Sequence, residues 1–342
     1  MNVQNDNQWK VCVRCFTYNQ ASYIKDAMNG FTMQQTDFPY VCCIVDDAST
    51  DGEQDVIKQY LQDFFDLDYK TIVRNEKTEA YSLTFSRHKT NLNCYFAVLF
   101  LRQNHYRLKK SKLPYISEWN DHAEYIAYCE GDDYWTQPTK LQQQADYLNT
   151  HPHVVLSCHR YFIYDVKSQE STLAPNSYLD KRKNDYLEHY EFDYRYAFMA
   201  GWFTKTLTLM VRKDAIDTSY HKHYKYARDV HNIYYIMQRG LGVCHSFNGG
   251  VYRKNVSTSI FGNMTLEEQK DINCRVYEEL AVVTQDPVMK RIAEIHVVND
   301  CMRRLKTYHS GYYYYVLRFL RLPFRIINLA KKGFRKTVPL IS

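Results

Sequence analysis

The chain has 342 residues, of which 45% are hydrophobic and 24% charged, with only 11 Gly and 8 Pro. That balance excludes a collagen-like repeat, a disordered chain and a coiled-coil rod, and the length suits one large domain or two modest ones. The net charge of +6 is uneven: residues 301–342 hold ten Lys and Arg and no acid, so the remainder is mildly acidic.

No run of 18 apolar residues occurs, and the opening MNVQNDNQWK is polar. Neither a spanning helix nor a secretory signal is expected, which points to a cytoplasmic protein. Ten cysteines are present. Cys12, Cys42, Cys43, Cys129 and Cys158 sit inside apolar runs, where a reduced thiol behaves as a small hydrophobe. Cys12 and Cys15 are spaced like half a zinc site. On a strand they face opposite sides, and no second pair matches. Nucleic acid is not an expected partner, because the basic residues gather in one tail rather than over a folded face.

Strand and helix patterns alternate through the first third. Lys10–Phe16 is a short apolar strand pattern, and Gln20–Gln34 has helical spacing through Ile24, Ala27, Met28 and Phe31. Tyr40–Val45 is a fully apolar strand, Gly52–Phe65 a helix, and Tyr69–Val73 a third strand. Continuous apolar strands between amphipathic helices predict a parallel sheet covered on both faces, with ligands beyond the carboxyl ends of its strands. Leu92–Leu108 is read as a helix and Lys109–Asp121 as a polar loop. Tyr125–Cys129 is a strand, Gln137–Asn149 a helix and Val154–Tyr164 a strand. Residues 165–200 are irregular and Tyr-rich. Thr206–Arg212 is a strand, Asp229–Arg239 a short helix, Val243–Phe247 a strand and Thr265–Leu305 a helix pair.

Two groups of acids stand directly after buried strands. Val45-Asp46-Asp47-Ala48-Ser49-Thr50-Asp51-Gly52 leads from a strand into a helix. Ser49 or Asp51 suits a helix cap. Carboxylates at that strand end also suit an imide N–H of uracil or ribose hydroxyls. Glu130-Gly131-Asp132-Asp133-Tyr134-Trp135 packs three acids into four residues. Repelling carboxylates are costly unless a cation holds them, and hard oxygen donors suit Mg²⁺ or Mn²⁺ carried in with substrate phosphates. Tyr134 and Trp135 beside them suit a sugar or base platform. Asp229, in Tyr226-Ala227-Arg228-Asp229-Val230-His231, reads by itself as an ordinary acid in a helix's first turn.

Thr17-Tyr18-Asn19, the Asp46–Gly52 segment and Glu130–Trp135 followed by Pro138, Lys140 and Leu141 together resemble the family 2 glycosyltransferases. The likeness is strongest to a bacterial branch with the EGDDYW form, and spans roughly residues 10–255. It implies an α/β GT-A fold, a Rossmann-like mostly parallel sheet flanked by helices. It also implies a nucleotide-diphosphate sugar donor, a divalent cation and inversion at the anomeric carbon. Thr17, Tyr18, Asp46, Asp47 and Asp132 would then bind the nucleotide-sugar. Asp132 and Asp133 would bind Mg²⁺ or Mn²⁺, and Asp229 would be the catalytic base. Phe16 stands where the family usually has Pro, and the stretch from Asn75 to His122 departs from the family pattern.

The resulting expectation is a catalytic domain over 1–255 and a helical C-terminal extension over 256–342. The function is an inverting glycosyltransferase of bacterial surface polysaccharide or glycolipid synthesis, with a saccharide or lipid-linked acceptor. A nucleotidyltransferase and a non-catalytic nucleotide- or sugar-binding module are the alternatives. Residues 312–336 mix aromatics, aliphatics and Arg or Lys without an acid. That pattern predicts an interfacial helix on an anionic membrane face, placing the protein at the inner surface of the cell membrane.

Overall fold

The structure, a computed structural model, describes residues 9–68, 73–182, 187–199, 204–225, 228–257 and 264–307. The strand expected at Tyr69–Val73, apart from Val73 itself, and the basic segment 312–336 lie outside the described residues. The chain divides into two compact units: Met1–Asp217 with Tyr234–Asn263, and Thr218–Ile233 with Met264–Ser342.

In the first unit, β1 (Trp9–Thr17), α1 (Ile24–Thr32), β2 (Tyr40–Asp46) and α2 (Glu53–Phe64) follow the alternation read from sequence. Then come β3 (Arg74–Lys77), β4 (Tyr81–Arg87), β5 (Cys94–Leu101), the short α3 (Ser117–Asn120), β6 (Ala123–Tyr128), β7 (Tyr134–Trp135) and α4 (Lys140–Thr150). The unit continues with β8 (Val154–Asp165), β9 (Glu170–Leu173), β10 (His189–Phe192), α5 (Tyr194–Met199) and β11 (Met210–Arg212). Helix α6 (Asp229–Met237), which begins in the second unit and ends in the first, precedes the long β12 (Leu241–Lys254).

The strands form one mixed sheet in the order β10-β12-β8-β11-β6-β1-β2-β5-β4-β3, with β7 on β12 and β9 on β8. Its centre, β6-β1-β2-β5, is parallel throughout. The antiparallel hairpins lie toward the edges, and β8 pairs β12 in parallel. Every residue of β2 is buried, as a central strand covered on both faces requires. Helix α1 buries Ile24, Ala27, Met28 and Phe31, the i, i+3, i+4, i+7 face that the spacing predicted. Ile24, Met28 and Phe31 each contribute roughly 1.5–3 kcal/mol of burial, and Ala27 less.

The expected helix at Leu92–Leu108 is instead strand β5 followed by turns. Its sequence CYFAVLFL is buried at seven of eight positions between β2 and β4. An apolar run covered on both faces has no period to separate strand from helix. The expected strand at Thr206–Arg212 begins with a 3₁₀ turn at Thr206–Thr208 before β11. The irregular 165–200 region contains β9, β10 and α5.

The second unit contains the helix pair expected near Thr265–Leu305: α7 (Leu266–Thr284) and α8 (Pro287–Thr307). Thr265 and Glu268 form a reciprocal capping box at the start of α7. Gln285, at φ 53°, reverses the chain after it. Asp286 accepts from Val288 N at 2.7 Å to begin α8. Among the described residues, no helix is long and apolar enough to cross a membrane.

Candidate active site

Parallel pairing brings the ends of β1 and β2 level, with Thr17 beside Asp46. The two loops that leave these strands are fastened to each other. Asn19 N donates to Ser49 Oγ at 2.8 Å, and Thr50 N donates to Asn19 Oδ1 at 2.8 Å. Asp51 takes Ala21 N at 2.9 Å and Glu53 N at 3.1 Å. Asp51 thus satisfies a first-turn N–H of α2, while the N-cap position itself is Gly52.

Glu53 is the centre of this latch, and the sequence did not single it out. Its side chain is buried and accepts from Gln20 N at 2.9 Å and Ser49 Oγ at 2.8 Å, and it also contacts Thr17 Oγ1. Thr17 Oγ1 lies 2.7 Å from Gln20 Oε1 as well, so one hydroxyl proton stands between two acceptors. Burial raises the Glu53 carboxyl above its ordinary range, against the lowering effect of these donors. Tyr18, half-buried, lies within the latched β1 loop.

The adjacent acids Asp46 and Asp47 are both buried but differ in what they leave open. Asp46 Oδ2 accepts from Gln54 Nε2 at 2.6 Å and Ser49 N at 3.2 Å. Its Oδ1 has no hydrogen-bond partner among the described residues. Burial raises this carboxyl, and an unsatisfied buried oxygen favours a ligand donor. Asp47, by contrast, receives His105 N at 2.6 Å on Oδ1, and Tyr106 N at 3.0 Å with Lys112 Nζ at 3.1 Å on Oδ2. Both oxygens are occupied in fastening the loop that follows β5.

The acid turn follows β6 on the other side of β1. Cys129 N donates to Arg14 O, and Asp133 N to Glu130 O, at 3.2 Å each. Gly131 lies against the β1 loop: a Cβ there would stand 2.4 Å from Thr17 Oγ1 and 2.5 Å from Gln20 Oε1. A side chain at 131 would push the acid turn off the loop that follows β1, so the close approach requires glycine.

Asp132 is half-buried, and the nearby Gln20 side chain lowers its carboxyl against the rise from burial. Asp133 is buried, and its Oδ1 accepts Arg253 N at 2.8 Å. Arg253 Nη1 donates to the Asp132 carbonyl at 2.9 Å, and Nη2 pairs with Asp26. The guanidinium lies over Tyr134 at 4.5 Å and Tyr23 at 5.1 Å from the ring centroids. Burial raises both aspartates. Asp132 and Glu130 push Asp133 further up, while Arg253 opposes the rise in both.

Trp135 departs from the expected platform. It is 2% exposed, donates Nε1–H to Leu207 O at 2.8 Å and packs edge-on against Phe31. Gly30 of α1 accommodates it, since a Cβ there would stand 2.8 Å from Trp135 N. Tyr134 remains half-buried under Arg253.

Asp229 belongs to the second unit, where it is exposed at the first position of α6 and accepts Val230 N at 2.9 Å. His231 beside it is buried against Tyr224, and burial lowers its imidazole to about 4. Burial, joined by the nearby Asp229 charge, raises Tyr277 to about 12.

Residues 13–101, from β1 to the end of β5, match the family model described as Glycosyl transferase family 2. The chain resembles the family 2 glycosyltransferases. Uncharacterized proteins of Mycobacterium tuberculosis and Mycobacterium bovis are 32% identical over 163 residues, which is 47% of this chain and 38% of theirs. The match thus spans well under half the length of these curated relatives.

Among solved structures, S. aureus TarS 1–349 in complex with UDP-GlcNAc has 15% identity and a TM-score of 0.49, covering 87% of this chain and 73% of that one. A mannosyltransferase of Pyrobaculum calidifontis in complex with GDP-Man and Mn²⁺ has 13% identity and a TM-score of 0.48, covering 97% and 89%.

Proposed function

We propose that this protein is an inverting glycosyltransferase that moves a sugar from a nucleoside-diphosphate donor to an acceptor hydroxyl. The observation that carries the reading is the gathering of two latched loops and an acid turn at the carboxyl ends of adjacent parallel strands, with Asp46 Oδ1 left open. That is the position where such sheets take ligands. Asp46 accepts an N–H of the base or a ribose hydroxyl, with Thr17 and Tyr18 alongside. Asp47 acts beneath them by fixing the β5 loop.

Among the described residues, no cluster of three or more His, Cys, Asp or Glu is arranged to hold a metal ion alone. Mg²⁺ and Mn²⁺ nevertheless bind through one or two carboxylates when substrate phosphates and water complete the shell. Half-buried Asp132 fits that role as the leading ligand, with Asp133 shaping the turn from behind. Such a cation would neutralise the leaving diphosphate. Asp229 takes the acceptor's proton as its oxygen bonds to the anomeric carbon. The bond from that carbon to the diphosphate breaks, and the nucleoside diphosphate leaves with the electron pair. General-base assistance is worth about 10²–10⁴ in rate.

The acceptor we favour is a saccharide or lipid-linked hydroxyl used in bacterial surface polysaccharide or glycolipid synthesis. The basic segment 312–336 tethers the protein to the inner membrane face. The test is a thermal-shift panel of nucleotide-sugars with and without Mn²⁺, followed by product analysis. A metal-dependent rise in Tm with one donor, and release of its nucleoside diphosphate, is the expected result. Release of pyrophosphate instead, or no response to any donor, would remove this reading. Asp229→Asn is expected to lower kcat far more than donor affinity.

A further inference from the structure

The loop after β5 carries an exposed surface of cations and apolar side chains. Between Glu79 and Glu118 the sequence has no Asp or Glu. Within that acid-free stretch, Arg102, Arg107, Lys109 and Lys110 are all exposed. Tyr106 and Leu108, 59% and 47% exposed, stand among them.

This loop is held firmly from below. Asp47 grips His105 N and Tyr106 N, while the His105 ring lies 2.9 Å from Gln103 O and 3.0 Å from Tyr115 Oη. Turn bonds run from Leu108 N to Asn104 O, Lys109 N to Tyr106 O and Lys110 N to His105 O. Lys109 takes a left-handed φ of 53° to close the turn. A structured turn therefore holds an aromatic ring and a leucine in water, surrounded by cations. Single exposed apolar residues mean little, but this combination has a matching partner.

We propose that residues 102–110 dock on an anionic lipid bilayer, Tyr106 and Leu108 entering the interface and the four cations meeting headgroup phosphates. Tyrosine favours the headgroup level because its ring is apolar and its hydroxyl polar. The negative surface attracts each nearby Lys or Arg. A soluble anion satisfies the cations alone and gives Tyr106 and Leu108 no apolar contact, so the bilayer accounts for more of the surface. The loop is rooted on Asp47, one residue from Asp46, so docking would hold the carboxyl end of β2 near the membrane. This contact is distinct from segment 312–336 and does not depend on the sugar-transfer reading.

The experiment uses the full chain carrying Tyr106→Trp, which keeps the backbone N–H that Asp47 grips. Its fluorescence, less that of the unsubstituted protein, is followed with phosphatidylglycerol/phosphatidylcholine vesicles containing brominated acyl chains. The added indole is expected to shift to shorter wavelength and to be quenched. The further changes Arg107→Gln, Lys109→Gln and Lys110→Gln together should weaken partitioning roughly a hundredfold. Vesicle binding with the added indole unshifted would assign attachment to another segment and overturn the proposal. So would an equal response to soluble polyphosphate, or no vesicle binding at all.

Discussion

Arg253 donates its backbone N–H to the buried carboxylate of Asp133 at 2.8 Å, joining residues 120 positions apart. The same arginine holds the Asp132 carbonyl. The acid turn is thus set from behind by β12, while the half-buried Asp132 side chain remains beside Gln20.

Asp132 and Asp133 should therefore separate in mutagenesis. Asp132→Ala is expected to remove most turnover with little change in Tm, since it takes away a half-buried carboxylate. Asp133→Ala leaves Arg253 N–H without its acceptor, a loss of about 1–3 kcal/mol. Asp133→Asn retains an acceptor oxygen and should recover much of that stability. Thermal unfolding with donor binding on the three variants checks this; equal Tm losses for Asp132→Ala and Asp133→Ala would contradict it.

The open oxygen of Asp46 gives a narrower expectation. Asp46→Asn can still accept from Gln54 and Ser49, but presents an amide N–H₂ where the free oxygen stood. Affinity for free UDP or GDP should fall about tenfold or more, the scale of one hydrogen bond to a charged group. Calorimetric titration of each nucleotide would read this directly. Unchanged affinity for both would return Asp46 to a purely structural turn.

Strands β1, β2 and β6 were legible because each is a short, largely apolar run that leads into polar or acidic residues, as at Asp46 and Glu130. The family resemblance drew on the same residues. Strand β5 was not legible, because burial on both faces removes any period. Nor was the 14-residue length of β12, whose pairing with β8 shifts register at three places. Trp135 looked like a ligand platform because sequence adjacency to Asp132 says nothing about which face a ring takes. Glu53 escaped notice because a glutamate opening a helix is ordinarily explained by the dipole. Only the fold brings Thr17, Gln20 and Ser49 onto it.

Glu53 should also leave a mark on the pH dependence of stability. Its folded pKa is raised by burial, so above the unfolded value near 4.5 the unfolded chain loses its proton first. Stability from this group is then full below that value and falls as pH rises toward the folded pKa. Glu53→Gln removes the titration. The substituted oxygen can accept from Gln20 N and Ser49, and the amide can donate to Thr17, whose proton then goes to Gln20. The Tm of Glu53→Gln relative to the unsubstituted protein is expected to rise from pH 4.5 toward neutrality. A difference that stays flat would mean Glu53 titrates normally.

Lys140 gives the opposite slope in a different pH range. It is fully buried in α4, with Nζ 2.7 Å from Gln144 Oε1 and 4.1 Å from the Trp135 ring centroid. Burial lowers its pKa from 10.5 to about 7. Between those values the unfolded chain binds more protons than the folded one, so this group adds stability as pH rises through the window. The increment approaches about 1.4 kcal/mol per pH unit where the folded amine is neutral and the unfolded one charged. Buried thiols such as Cys129, raised by desolvation, act the other way above their unfolded pKa. The informative quantity is therefore the difference between the protein and Lys140→Met. Methionine keeps the packing against Trp135 but leaves Gln144 Oε1 unpaired, which sets a constant offset rather than a slope. Denaturant unfolding at pH 7.5, 8.5 and 9.5 should show the unsubstituted protein gaining on the variant by about 2 kcal/mol across the range. Parallel curves would show that the ammonium keeps its charge in the core, held by Gln144 and the Trp135 ring.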